Sequence, residues 1–436
     1  MINAVFKKYD VFKDSGIEWL GDVPSHWEIR RLKDIGISII GITYSPDDVV
    51  EDESEGILVL RASNIQGNKL SLLDNVFVNK KVSVKQIVRK GDILLCSRSG
   101  SRSLIGKNIC VDDQIAGTTF GAFMTIYRSR YFKFISGFFN SKFFEAQSGL
   151  FMTSTINQLT ISTLNNLLVA LPPLDEQKAI AAYLDERTAQ IDHKIDLLTQ
   201  KAAQYAQLKQ ALINETVTRG LDKTALLKES GIEWLGPIPT HWEVKRHKDH
   251  FIFINKKCND MELAKVGLEN IESKTGKFIF TDSDFDGIGI EFRENDILFG
   301  KLRPYLAKVY LAEFNGSAVG DIFVYRPKSD IVPKFARYLM LSDRYIDVIN
   351  SSTVGAKMPR VSSGFIANLP VAIPTLYEQK AIANYLDTKT AHIDRIVETI
   401  NHQIETLREC RKTLINDVVT GKIKIIDNGE WRIDNE

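Results

Sequence analysis

The sequence predicts an α+β protein: two bodies of mixed strands and helices, separated by two long antiparallel coiled-coil helices and related by a pseudo-twofold internal repeat. Three observations carry this. The stretch "KDSGIEWLGDVPSHWEIRRLKD" (13–34) returns as "KESGIEWLGPIPTHWEVKRHKD" (228–249), 215 residues later. "LPPLDEQKAIAAYLDERTAQID" (171–192) returns as "IPTLYEQKAIANYLDTKTAHID" (373–394), and "LINETVTRG" (212–220) as "LINDVVTGK" (414–422), both offset by 202. Between the repeated lines lie short apolar runs bounded by turn residues, the pattern of strands.

The order along the chain follows from these repeats. Residues 1–172 form the first body, 173–220 a long helix, 221–374 the second body, 375–421 a second long helix, and 422–436 a tail. Strand-like runs include "GILVL", "DNVFVN", "DILLC" and "MTIYR" in the first body and "KFIF", "DILFG", "KVYLA" and "IFVYR" in the second. Helical stretches are expected near Ser136–Ser148 and Pro333–Ile349. "GDILLCSR" (91–98) has a looser echo in "NDILFGKL" (295–302), offset by 204.

The long segments read as helix because a largely apolar set of positions alternates by four and three. The first carries Leu184, Thr188, Ile191, Ile195, Leu198, Ala202, Tyr205, Lys209 and Leu212. The second carries Leu386, Thr390, Ile393, Val397, Ile400, Ile404, Leu407, Arg411 and Leu414 at matched places. Spacing of that kind over four heptads is a coiled-coil seam. Pro172 and Pro173 precede the first helix, Asp175 and Glu176 suit its positive N-terminal end, and Gly220 and Gly421 follow the two C-termini. About 43 residues give each helix a length of ~65 Å. If the helices pair with each other, the intervening body makes antiparallel packing easy and sets the two bodies at opposite ends of a rod.

Composition narrows the class. The 436 residues are 44% hydrophobic and 25% charged, as in globular proteins, and long enough for two or three domains. No apolar run is long enough to span a bilayer and the N-terminus lacks a signal-peptide pattern. Cys96, Cys110, Cys258 and Cys410 show no zinc or disulfide spacing, so a reduced, cytoplasmic protein is expected. The net charge of +1 neither marks nor excludes a nucleic-acid binder.

Catalytic motifs fail at particular positions. "GSRSLIGKN" (100–108) has five residues between its glycines and Asn108 after Lys107, where a phosphate-binding P-loop needs four and Ser or Thr. "DSDFDGIGIEFRE" (282–294) places Asp282, Asp284, Asp286 and Gly287 like a calcium loop, but Arg293 stands where the bidentate Glu belongs and Glu294 is one place late. It reads as an acidic turn. "EQK" (176–178 and 378–380) resembles half of a nuclease metal site, lies in a helix's first turn, and reads as structural. His26 and His241 stand beside Trp27 and Trp242 in the opening repeat and read as parts of a packed turn. No metal site and no nucleophile–base arrangement is visible, so the chain is expected to be non-catalytic.

Polar and basic loops remain, and Arg, Lys, Asn, Ser and Thr on loops are the donors used for phosphates and base edges. In the first body the candidate DNA-binding residues are Arg61, Asn64, Arg98, Ser99, Ser101, Arg102, Lys107, Thr118 and Thr119. In the second they are Asn270, Lys301, Arg303, Tyr305, Lys308, Lys357 and Arg360, with Tyr305 able to stack. The helical frame is assigned to Leu184, Ile191, Ile195, Leu198, Tyr205, Leu212, Leu386, Ile393, Val397, Ile400, Leu407 and Leu414.

With these residues in place the chain resembles the DNA-specificity subunit of a type I restriction–modification system. The likeness rests on "GIEWLGDVPSHWE" and "GIEWLGPIPTHWE", on "LPPLDEQKAIAAYLD" and "IPTLYEQKAIANYLD", and on "GKLRPYLAK" with "GAKMPR". It covers essentially the whole chain, though the first body has "SRSGSRS" where the second has "GKLRPYL". The resemblance implies two target-recognition domains, each reading one half of a bipartite, asymmetric site in double-stranded DNA, with the helices as a ruler between them. It implies no cofactor on this chain. Two methyltransferase subunits would bring S-adenosylmethionine, and restriction subunits would bring ATP and magnesium, in a bacterial or archaeal cytoplasm. Two alternatives stay open: the specificity subunit of a methylation-only or other methyltransferase-linked defence complex, and a coiled-coil scaffold that binds no DNA.

Overall fold

The structure, a computed structural model, describes residues 7–150, 158–258, 260, 262–281, 287–355 and 357–425. The acidic turn read at Asp282, Asp284 and Asp286 lies outside the described residues. The chain divides into two compact units, 1–197 with 403–436, and 198–402. The long helices are Leu174–Arg219 and Leu376–Val419. Each helix begins in one unit and ends in the other, so each unit holds the start of one helix and the end of the other.

In the first unit a four-stranded antiparallel sheet runs in the order Asn108–Cys110, Ile93–Cys96, Met124–Arg128, Ile37–Ile40. The strand Ile93–Cys96 is buried along its whole length. Because successive side chains point to opposite faces, a continuous apolar run serves two cores at once. Ile93, Leu95 and Tyr127 join the core that holds Trp27, Phe134 and Leu184, while Leu94, Cys96 and Ile126 join a second core with Leu60 and Phe120. Beyond that second core lies a smaller sheet, in which Thr119–Phe120 pairs in parallel with Ile57–Leu60.

The second unit repeats the plan with different residues. Its main sheet runs Phe251–Ile254, Ile322–Pro327, Ile297–Gly300, Val309–Leu311. Ile297, Phe299 and Tyr325 face the core around Trp242 and Leu386, and Leu298 and Val324 face the other. The aspartate of the loose echo has a structural purpose in both units. Asp92 is 1% exposed and takes Arg128 in two hydrogen bonds of 2.7 Å. Asp296 takes Arg326 likewise at 2.8 and 2.7 Å. Two parallel N–H···O bonds satisfy a carboxylate that would be costly to bury alone.

Within each unit the starting half of one long helix meets the ending half of the other through an ion pair. In the first unit Arg411 reaches Asp192 at 2.9 Å, and in the second Lys209 reaches Asp394 at 2.6 Å. Asp394 is the 202-residue counterpart of Asp192, and Arg411 that of Lys209, so one interaction is written twice. The seam's two cations are therefore not flaws in an apolar stripe; each meets an acid on the facing helix. Partial burial alone would raise the Asp394 carboxyl, but Lys209 and Lys277 hold it below the usual carboxylate range. The assigned frame residues line this seam: Leu184, Leu386, Ile393 and Ile400 are buried, and Ile191, Ile195, Leu198, Tyr205, Leu212, Val397, Leu407 and Leu414 half-buried. Leu197 and Leu208, off the stripe, are exposed.

The two repeated motifs lock onto each other. Glu176, in the first turn of the first helix, accepts a hydrogen bond from the Tyr9 hydroxyl and lies 2.8 Å from His26 Nε2. Glu378 stands at the same place on the second helix, 3.0 Å from His241 Nε2, and accepts from Trp242 Nε1 at 3.2 Å. The carboxylate also sits at the positive end of its helix. Gln177 and Gln379 each donate to the proline carbonyl before the helix, Pro172 at 2.7 Å and Pro374 at 2.9 Å. The other helix closes the clasp from behind. A Cβ on Gly421 would fall 2.3 Å from Pro24 and 3.4 Å from Trp27, and one on Gly220 would fall 3.3 Å from Trp242. Both glycines also take a positive φ, ending their helices at the one residue type that fits twice over.

Two local expectations differ. The predicted helices after the main sheets are each two: Phe132–Phe139 with Lys142–Leu150, and Pro333–Leu341 with Asp343–Ser351. Ser141 and Ser342 break them, each hydroxyl donating to a carbonyl of the preceding turn. "KFIF" is not a strand beyond one bridge at Phe278, and Phe280 is 91% exposed. In the packed turn Trp27 and Trp242 are fully buried, whereas Trp19 is 51% exposed.

Two predictions follow from this packing. Reversing one charge, Arg411→Glu, should lower Tm by about 2–4 °C, a loss of ~1 kcal/mol, and adding Asp192→Arg should restore most of it. An unchanged Tm in the single variant would contradict the register. The second concerns His247, which stands where the first unit has Leu32. It is buried, stacked 4.2 Å from Phe251, and its Nε2 has no hydrogen-bond partner. Burial, aided by His250, pulls its pKa down from 6.5 to about 3. The unfolded chain thus binds the proton first, so the histidine's contribution is full above pH 6.5 and is lost as pH falls toward 3, by ~1.4 kcal/mol per pH unit. Denaturant melts should show a flatter loss of stability between pH 6 and 4 in His247→Leu than in the native chain. Parallel curves would refute it.

Candidate nucleic-acid interface

In each unit the central buried strand delivers a loop to the surface at its end. In the first unit this loop is Ser97–Lys107, closed at its base by Cys96 N donating to Lys107 O at 2.8 Å and Gly106 N to Cys96 O at 2.9 Å. It brings together Arg98, Ser99, Ser101, Arg102 and Lys107. Arg98 and Arg102 are exposed, Ser99 and Lys107 half-buried. The Arg98 guanidinium lies 5.3 Å from the Phe123 ring centroid, and the Ser101 hydroxyl meets that of Ser103 at 2.9 Å. A second segment joins the loop through Leu159 N, which donates to Ser97 O at 2.8 Å.

The second unit has the same construction with other side chains. Val361 N donates to Lys301 O at 3.2 Å, the counterpart of the Leu159 contact. Arg303 N donates to Pro359 O at 2.8 Å, and Arg360 pairs with Val354 in both directions at 3.0 and 3.1 Å. "KLRPYL" and "VGAKMPR", some fifty residues apart in sequence, are therefore zipped side by side. Arg303, Tyr305, Lys357 and Arg360 are exposed on this surface. Arg303 and Ala307 flank the turn Pro304–Leu306 with φ of 47° and 46°, a left-handed backbone that costs a residue with a Cβ about 1–2 kcal/mol. Strain of this kind gathers where a side chain must be presented in one direction.

The structure corrects several candidate contacts. Asn64 is fully buried: its Oδ1 accepts from Arg61 N at 2.9 Å and its Nδ2 donates to Ser71 O at 3.0 Å. Asn270 repeats this, accepting from Gly267 N at 2.7 Å and donating to Ile279 O at 3.1 Å. Both hold their turns and have no donor left for a base. Thr119 is buried with its hydroxyl on Gln86 O at 3.0 Å, and the Thr118 hydroxyl is on Ile115 O at 2.8 Å. Arg61 is tied to Asp74 at 2.9 Å. These four positions and Arg61 belong to the turns around the smaller sheets, apart from the two loops. Lys308 points back to Leu268 O at 2.5 Å, and burial, against the pull of Glu269, draws its pKa below the usual lysine range. Lys301 is half-buried, donating to Gly320 O and lying 3.4 Å from Asp321.

Asp321 is an acid set among the cations of this surface, and a reading of the sequence for cations alone does not find it. It lies between Lys301 and Arg360, 3.9 Å from the latter, and orients both. The signal is present in "VGDIF", where an acid immediately precedes the strand Ile322–Pro327, but an acid does not match the sign of a phosphate donor. Met358 and Val354, 54% and 80% exposed, were also missed because they are apolar. Among the described residues no group of three His, Cys, Asp or Glu could hold a metal ion, and no helix is long and apolar enough to cross a membrane.

Comparison with known proteins agrees with this architecture. A family model described as the type I restriction modification DNA specificity domain matches residues 24–204 and 241–406, one match for each half of the repeat. The chain is 24% identical to the type I restriction enzyme MjaVIII specificity subunit of Methanocaldococcus jannaschii, over 92% of this chain and 94% of that one. It is 24% identical to the EcoKI specificity subunit of Escherichia coli K12, over 95% of this chain and 92% of that one. A solved structure, described as the structural basis of complex assembly and conformational transition of the type I R-M system, shares the fold with a TM-score of 0.68 at 14% identity, covering 91% of this chain and 98% of that one. Two clasped bodies on paired helices, matched twice along their length, make this chain a member of the type I restriction–modification DNA-specificity family.

Proposed function

We propose that this chain is the specificity subunit of a type I restriction–modification complex, each body reading one half of a bipartite, asymmetric site in double-stranded DNA. One observation carries the reading: the same clasp and the same doubly buried strand support two unlike basic loops, Ser97–Lys107 and Lys301–Ala307 with Val354–Arg360. A protein that recognised one thing twice would keep its loops alike. A protein that reads two different half-sites keeps the frame and changes the loops.

The residues assigned to contact are those left exposed: Arg98, Ser101 and Arg102 in the first body, and Arg303, Tyr305, Lys357 and Arg360 in the second. An arginine fork presented from a fixed backbone suits the paired acceptors of guanine in the major groove, whereas a mobile lysine suits phosphate. Arg303, with its backbone pinned, is the base-reading candidate; Lys357 is the phosphate candidate. The chain supplies recognition, and the chemistry belongs to its partners. Two methyltransferase subunits carry S-adenosylmethionine to the adenines, and restriction subunits carry ATP and magnesium for cleavage. Much of the phosphate neutralisation then comes from the assembly, which suits a chain whose own net charge is +1.

Selection from a random DNA pool by this chain with its methyltransferase partner should enrich duplexes with two fixed elements and an unspecified stretch between them. Enrichment of nothing over scrambled DNA would refute the proposal. In the same assay Arg303→Ala should cost ~1–3 kcal/mol and relax preference at one half-site only. Equal loss on every sequence would reassign Arg303 to phosphate, and no loss would remove it from the interface.

A further inference from the structure

The internal repeat supplies a comparison at a place the proposed recognition role does not use. The helices Phe132–Phe139 and Pro333–Leu341 occupy the same position in the two units, and the serine after each donates to the carbonyl three residues back at 2.7 Å. That shared contact aligns Lys133 with Lys334, Ser136 with Arg337, and Gly137 with Tyr338. On the long helices Asp185 aligns with Asp387 and Thr188 with Thr390.

In the second unit these residues form a filled site. Asp387 takes Lys334 at 2.8 Å, Arg337 at 3.3 Å and the Tyr338 hydroxyl at 2.7 Å, and that hydroxyl also lies 3.2 Å from Thr390. The Arg337 guanidinium lies 4.7 Å from the Tyr338 ring centroid, a cation resting on an aromatic face. Burial alone would raise the Asp387 carboxyl, but these partners hold it below its usual range.

In the first unit the positions of Arg337 and Tyr338 hold Ser136 and Gly137, and of the three partners only the lysine, Lys133, is kept. What remains is a cleft of about 390 Å³ lined by Asp185, Thr188, Lys133, Ser136, Gly137 and Asn140, a volume that suits a small ligand. Two cations at its margin are already engaged, Arg411 with Asp192 and Lys69 with Asp196. Partial burial raises the Asp185 carboxyl, and Lys133 opposes this through space.

We infer that this cleft binds a small planar cation carried on an aromatic ring, an aryl amidine or aryl guanidine. Its cationic fork takes the place at Asp185 that Arg337 takes at Asp387, and its ring takes the place of Tyr338. Gly137 carries no ring of its own, and a Cβ there would press on Val419 at 3.1 Å and Leu184 at 3.2 Å.

The test is isothermal titration calorimetry of the full chain with benzamidine. The native chain should show one saturable site, weakened at least about tenfold in Asp185→Asn through loss of the charge-assisted pair. Ser136→Arg, which tethers a guanidinium where the second unit has one, should abolish binding and raise Tm. Absence of saturable binding to the native chain overturns the inference. So does undiminished binding in Asp185→Asn, a near-isosteric change at an exposed position that keeps the test independent of whether Ser136→Arg folds well.

Discussion

A glutamate in the first turn of each long helix holds the rest of the molecule in place. Glu176 and Glu378 sit where the helix presents its unpaired N–H groups, so the backbone favours a negative charge there before any side chain is counted. Each carboxylate then collects the histidine of the opening repeat, with Tyr9 in one unit and Trp242 in the other. The buried tryptophan beside that histidine is covered by the far end of the other helix, at a glycine whose positive φ and close approach disfavour a side chain. One small network thus fixes three things at once: where the body begins, where its helix starts, and where the partner helix stops.

With the frame fixed, the bodies are free to differ. The strand that both bodies bury on two faces is insulated from the loop at its end, because its apolar side chains commit alternately to two cores. Leu104, Ile105 and Ala307 tie the loops to these cores, while the exposed Arg98, Arg102 and Arg303 stand clear of them and can change without disturbing either. The seam shows the same economy: its two cations, Lys209 and Arg411, each meet an aspartate on the facing helix, so register is specified by charge as well as by shape.

Much of this was legible in the residues alone. Heptad spacing marked the helices because 4-3 periodicity has few other causes, and duplication marked the clasp because two copies agreed at His26 and His241, at Glu176 and Glu378. What the sequence did not disclose was which partners those residues choose. Glu176 could be read as a helix-end charge, but its contact with a histidine 150 residues earlier depends on the folded path of the whole body. The loops were harder still. Asn64 and Asn270 look like base readers and prove to be turn-holders, since an amide serves a backbone carbonyl as readily as a base edge. Asp321 and Met358 carry no sign that a search for phosphate donors would detect. Loop chemistry is local, and loop use is set by which segments the fold brings side by side.

The central claim is that a repeated frame carries two independent readers. Single-molecule mapping of N6-methyladenine in a host expressing this chain with its methyltransferase partner tests it most directly. The account predicts methylation at one bipartite motif, with two unlike fixed elements separated by a spacer of constant length and free sequence. Methylation confined to a single continuous motif, or two identical half-sites, would contradict it.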